Sequence, residues 1–197
     1  KSLDEGMLIE ELLSVVNKQE GGDIDFKAFP LDLLADYIEK THHRYIETKI
    51  PEITPYLNKI VRVHGERHPE LAVVEKLFLE SAGDLTAHLR KEELMLFPHI
   101  RQLVKTQLSK GKLPETKRGT ATAMVHQMEH EHEAEGERFS IISELTGDYA
   151  PPEDACNTYR VTLSLLKEFE EDLHRHIHLE NNILFPKSIA LEETLTA

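Results

Sequence analysis

HLRKEELMLFP, from His88 to Pro98, and HIHLENNILFP, from His176 to Pro186, carry a histidine, a glutamate and a proline at identical spacing. The copies lie 88 residues apart, and each closes on Leu-Phe-Pro. In an α-helix, residues i and i+4 differ by about 40° in direction, so each His/Glu pair points one way. Counted at about 100° per residue, Phe169, Leu173, Ile183, Leu165 and Tyr159 fall within about 60° of His176. Val74, Leu77, Leu85 and Met95 surround His88 in the same manner. Both pairs therefore sit inside the apolar stripe of a helix, the face that packs inward.

An isolated HxxxE is commonly an ion pair on a solvated surface. Two copies that both face the core need another explanation. A buried carboxylate must be protonated, hydrogen-bonded or bound to a metal, because charge is costly to remove from water. Two further helices carry histidines that face inward. Val125, Met128 and Phe139 surround His132, while His130 points away, as do His174 and His178. In THHRY, helical periodicity favours His42 over His43 as the inward residue. His43 and His132 are 89 apart, so the chain reads as two similar helix pairs, each with one lone histidine and one His/Glu pair. Such a pseudo-twofold plan suits two enclosed metal ions.

The remaining sequence is helical. Leu8, Ile9, Leu12, Leu13 and Val16 predict a short helix over residues 1–22 that stops at Gly21-Gly22. A second helix starts near Pro30, with Pro51 and Pro55 expected to kink or interrupt it. A third runs from about Pro69 towards Leu103 with a late kink at Pro98, a fourth from about Thr120 to Leu145, and a fifth from about Asp154 past Leu184. HGERHPEL, LSKGKLPETKRGT and TGDYAPPED separate them, and no stretch alternates like a strand. The expectation is an all-α antiparallel four-helix bundle over residues 30–190, with the first helix as an appendage. His64 and His68 read as capping or solvated groups, His99 as structural, and Cys156 as a packing residue at a helix start.

Composition narrows the function. With 36 acidic against 23 basic residues the net charge is −13, which disfavours nucleic acid and anionic membranes as partners. No apolar run is long enough to span a bilayer, and the N-terminal sequence lacks an export pattern. One cysteine excludes a disulfide framework and fits a reducing compartment, the cytoplasm. A donor set of imidazoles and carboxylates without thiolate argues against structural zinc and suits non-haem iron. If both glutamates bridge, four histidines and two glutamates supply about eight bonds to two metals. An oxo or hydroxo bridge then leaves about one open position per ion for O2, NO or peroxide.

LADYIEKTHHRY, VHGERHPEL, HLRKEELMLFPHI, MEHEHEAEGE, PPEDAC and HIHLENNILFP together resemble the hemerythrin-like domain of the repair-of-iron-centres family, di-iron proteins of iron-sulfur cluster repair. The resemblance covers about residues 30–187. It implies His88, Glu92, His132, His176 and Glu180 as metal ligands. It also places the remaining ligand seven residues after Asp36 and eight before Pro51, at His43, against the preference of the periodicity for His42. It implies two iron ions, damaged iron-sulfur proteins as clients, and O2 or NO as small ligands. Iron donation is the implied activity, with reversible carriage or sensing, or nitric oxide reduction, as alternatives. The cysteine pair of the family's N-terminal domain is absent, although KSLDEGMLIEELLSVVNKQE is similar to the tail of that domain.

Overall fold

A computed structural model describes residues 24–113 and 120–197. The helix expected over residues 1–22 lies outside the described residues. Four rods form the bundle. The first joins α1 (Leu31–Ile38) to α2 (Arg44–His64) through a π turn at Glu39–His43. The second joins α3 (Glu70–Lys91) to α4 (Phe97–Ser109) through a π turn at Glu92–Leu96. The third is the unbroken α5 (Ala121–Leu145), and the fourth joins α6 (Asn157–Leu179) to α7 (Phe185–Thr196) through a π turn at Glu180–Leu184. Among the described residues there is no strand, as the periodicity predicts.

Local chemistry sets the ends. Thr120 caps α5, its hydroxyl accepting from the Ala123 backbone N–H at 3.2 Å. Lys110 closes α4 in the left-handed region at φ 51°, after which Gly111 N–H returns to the Thr106 carbonyl. Pro98 and Pro186 are each the second residue of a helix that restarts after a π turn. A residue without an N–H leaves no donor stranded where the hydrogen-bond register changes.

Pro51 and Pro55 do not interrupt the chain into separate helices; α2 runs continuously through both. Both prolines are exposed, as is Glu47, whose carbonyl loses its helical donor to Pro51. Water can satisfy carbonyls freed on that face, while Ile53, Leu57 and Ile60 hold the opposite face in the core. The π turns correct a second expectation. They close on i→i+5 bonds, so one residue more fits in the turn and the apolar period slips by one position. Met95, expected beside His88, is 41% exposed, and Leu96 takes the inward place.

Two large apolar clusters divide the interior, beside a small third one of Leu103, Val104 and Leu191. One is built on α2, α3, α5 and α6 around Phe169, whose ring lies 5.5 Å from that of Phe78 and 5.6 Å from that of Phe139. The other gathers Leu34, Phe97, Met128 and Phe185 from α1, α4, α5 and α7. The three π turns lie where one cluster gives way to the other, and the polar residues of the repeat occupy that seam.

Candidate metal centre

Three rods present an acidic or imidazole group from a π turn into the seam. His43 ends the first turn, Glu92 begins the second and Glu180 begins the third. His88 and His176 come from the last turn of α3 and α6, one helical turn before Glu92 and Glu180. His132 comes from the middle of α5. All six side chains are buried: His43, Glu92, His176 and Glu180 at 0% exposure, His88 at 3% and His132 at 4%.

They form two groups that share both carboxylates. One is His43, Glu92, His176 and Glu180; the other is His88, Glu92, His132 and Glu180. Within each, one donor atom per residue lies within 4.8 Å of all the others. Glu92 Oε2 is 3.4 Å from both His43 Nε2 and His88 Nε2. Glu180 Oε2 is 3.1 Å from His176 Nε2 and 3.3 Å from His132 Nε2. His88 Nε2 and His132 Nε2 face each other at 3.0 Å. Metal bonds of about 2.1 Å, as zinc makes to imidazole, put neighbouring ligands roughly 3 Å apart, so the spacing is that of a coordination shell.

Apart from the His88–His132 contact, closeness here is not hydrogen bonding. His43 Nε2, both nitrogens of His176 and all four oxygens of Glu92 and Glu180 are buried without a hydrogen-bond partner. Their geometry points them at common centres rather than along one another's donor directions. Buried polar groups are otherwise nearly always answered, so this cluster of unanswered donors is what a cation would satisfy. The donor set fits one.

Electrostatics agree. Burial and the adjacent Glu180 charge push Glu92 upward, yet His88 and His43 outweigh them and hold it below the usual carboxylate range. Burial likewise opposes ionisation of Glu180, but His176 and His132 bring it well below. Burial lowers His88, yet the Glu92 charge prevails and carries it to about 10. His43 and His132 are also raised against burial, by Glu92 and Glu180 respectively, whereas burial dominates at His176 and lowers it. Both carboxylates are thus held towards their charged form, and His43, His88 and His132 towards their protonated form, a positive charge that a cation would replace.

Outer contacts orient the rings. His43 Nδ1 donates to Glu93 at 2.9 Å, His88 Nδ1 to Glu131 at 2.8 Å and His132 Nδ1 to the Asn181 side-chain oxygen at 2.8 Å. Lys91 also holds Glu131, at 2.5 Å, and with His88 it keeps that carboxyl low against its burial. Supports of this kind fix tautomer and ring angle in metal sites. The sequence reading missed Glu93, Asn181, Glu131 and Asp172, although the repeat itself marked the first two: both follow a motif glutamate by one residue.

His42 and His43 are both buried, and only His43 joins a donor group. His43 stands five residues after buried Ile38 and three before buried Ile46, the spacing of a π turn, which the wheel at 100° per residue could not accommodate. His42 stacks on His176 and bonds Asp172. His130, His174 and His178 are exposed, as expected. His99 is structural: its Nε2 lies 2.6 Å from Glu192, whose other oxygen accepts from Ala121 N–H. His64 is buried rather than solvated, with Nε2 3.2 Å from Cys156 Sγ. Cys156, at the N-cap of α6, is exposed rather than packed in the core, and its Sγ meets the buried His64 ring.

The comparisons accord with this geometry. The chain is 29% identical over 186 residues to the iron-sulfur cluster repair protein ScdA of Staphylococcus epidermidis, covering 94% of this chain and 79% of that protein. It is 34% identical over 184 residues to the iron-sulfur cluster repair protein YtfE of Yersinia pestis, and equally to that of Yersinia pseudotuberculosis, covering 92% of this chain and 76% of each. Residues 34–188, which include every donor described above, match the hemerythrin HHE cation binding domain, and the chain belongs to that family.

Proposed function

We propose that the chain is a di-iron protein that helps restore iron-sulfur clusters damaged by nitric oxide or oxidative stress, by donating iron. The observation that carries the reading is the pair of four-residue donor groups sharing Glu92 and Glu180, with seven of their buried atoms unanswered by the protein. Two imidazoles and two shared carboxylates per ion suit non-haem iron, and the absence of thiolate among the donors argues against a structural zinc site. The similarity to iron-sulfur cluster repair proteins supports the choice of clients, damaged iron-sulfur proteins. Iron is then cargo as much as cofactor.

In this reading His43, His88, His132 and His176 would hold the ions through their inward nitrogens, and Glu92 and Glu180, which belong to both groups, through their carboxylates. When bound, the iron pair supplies redox chemistry and open positions for small diatomic ligands. Glu93, Glu131 and Asn181 hold the outer N–H of three of the imidazoles and so keep their inner nitrogens unprotonated. A cavity of about 290 Å³, lined by His88, Lys91, Glu131, His132 and Glu135, gives O2 or NO a way to one side of the centre. No described helix is long and apolar enough to cross a membrane; the proposed place of action is the cytoplasm.

The test is one assay with three readings. Iron-loaded protein is mixed anaerobically with a nitric-oxide-damaged iron-sulfur enzyme and a chelator too large to reach the bundle interior. Donation predicts recovered client activity and an equal loss of iron from the bundle. Reversible NO or O2 binding with no recovery would replace the proposal with carriage or sensing. NO consumed over many turnovers with both irons retained would replace it with a reductase.

A further inference from the structure

The 88-residue repeat relates the supports of the centre as well as its donors. Glu93 and Asn181 correspond, and each accepts from the lone histidine of another rod, His43 or His132. Phe97 and Phe185 correspond too, stacking on His43 at 5.4 Å and on His132 at 5.8 Å.

At one pair the symmetry fails. Glu131, the residue before His132, accepts from His88 Nδ1 at 2.8 Å. The residue before His43 is His42, which offers His176 no such acceptor. Instead His42 lies stacked on the His176 ring, 5.8 Å between centroids and 6° between planes. Its own Nδ1 is engaged by both oxygens of Asp172, at 3.1 Å each. His176 Nδ1 is left buried with no partner. An imidazole that binds metal through one nitrogen carries its proton on the other, so His176 alone among the four has an N–H that nothing receives. An outer acceptor fixes ring orientation and raises ligand basicity, and its loss costs about 10- to 100-fold in metal affinity.

We infer that the two halves of the centre hold their ions unequally: the His88–His132 half fills first, and the His43–His176 half holds the exchangeable ion, with His42 as the positioning residue of His176. Glu92 and Glu180 serve both halves and do not discriminate between them. The inference rests on the reading of the centre as a di-iron site, and on that reading the ion surrendered first to a client is the one bound by His43 and His176. Solvent access is a separate matter. The cavity of about 290 Å³ touches His88 and His132 themselves, whereas His42 and Asp172 line a larger one of about 1070 Å³ on the other side. Access governs rates, so the test belongs at equilibrium.

The metal-free chain, equilibrated anaerobically with one equivalent of ferrous iron, is crystallised and the two positions are located by anomalous scattering at the iron edge. The expected result is occupancy at least about tenfold higher between His88 and His132, with solution titration resolving two dissociation constants in a matching ratio. Glu131→Ala, which removes the acceptor of His88, should bring the two halves to within about threefold of each other. His42→Ala should weaken the second binding step about tenfold and leave the first unchanged. A purely structural His42 would instead lower the thermal midpoint and alter both steps or neither. Equal occupancy, the reverse order, or a gap untouched by Glu131→Ala would overturn the inference while leaving the two-iron reading intact. Saturation at one ion, or no binding, would overturn that reading instead.

Discussion

His43 precedes α2 and His64 ends it, roughly 30 Å apart along the helix axis, and both are buried. At the far end the chain answers its own polar groups. His64 Nε2 meets Cys156 Sγ at 3.2 Å, and His68 spans Glu70 at 3.1 Å and Asp154 at 2.9 Å. Arg67 completes the knot with Asp154 at 2.6 Å. At the near end the donors converge and go unanswered, and among the described residues all but one of the buried side-chain atoms without a partner belong to that cluster. The exception is the Tyr149 hydroxyl. Both ends are rich in histidine and acid, so residue type does not tell them apart. What marks the candidate metal centre is a convergence of buried donors that the protein itself does not answer.

The contrast is sharpest at the shared carboxylates. Glu92→Ala or Glu180→Ala removes a donor from both groups at once, and should lower bound metal at least about tenfold at fixed free metal. His64→Ala should leave metal content unchanged and cost about 1–3 kcal/mol of stability, as the loss of a buried, bonded side chain does. Metal analysis and thermal unfolding on the three variants check both halves of the statement. If His64→Ala stripped the metal as Glu92→Ala does, the two ends would not be distinct in kind.

Next in size is the neighbouring pair on the first rod. His43→Ala should leave one ion per chain at saturating iron, whereas His42→Ala should retain both, since only His43 belongs to a donor group. Loss of an ion in His42→Ala with both kept in His43→Ala would reverse the assignment. Exposed His174 and His178, on the same helix as His176, should give no change in metal content when replaced by alanine.

The smallest effect concerns a buried carboxylate that the protein does answer. Glu135 accepts from Ser81 at 2.5 Å and pairs with Arg138. Burial nonetheless dominates and raises its pKa above the ordinary glutamate value, against the pull of Ser81 and Arg138. A carboxyl raised in the folded state adds stability below its unfolded pKa, and loses it as pH rises through the folded one. Glu135→Gln should therefore flatten that decline in the metal-free protein, by about 1 kcal/mol or less, without changing metal content. A steeper decline in the variant would show that Arg138, not burial, controls the group.

These contrasts also show what the sequence could and could not reveal. The repeat and the apolar stripes placed His88, Glu92, His132, His176 and Glu180 inward, because α3, α5 and α6 are regular up to those residues. Periodicity failed where the helix stopped being α. The π turn at Glu39–His43 buries both His42 and His43 and brings only His43 into a donor group, and the one at Glu92–Leu96 leaves Met95 exposed. A wheel with a fixed angle carries no signal for an inserted residue, whereas spacing to fixed landmarks, Asp36 and Pro51, does. Cys156 and His64 were misread for a different reason: their meeting joins segments 92 residues apart, which local pattern cannot foresee.

The two donor groups that share Glu92 and Glu180 should each hold one ion. Titrating the metal-free chain with ferrous iron under anaerobic conditions, with protein-bound iron counted after equilibration, tests it most directly. The prediction is saturation at two ions per chain, with both steps sharply weakened together in Glu180→Ala. Saturation at one ion, or two ions bound by Glu180→Ala as tightly as by the unaltered chain, would contradict it.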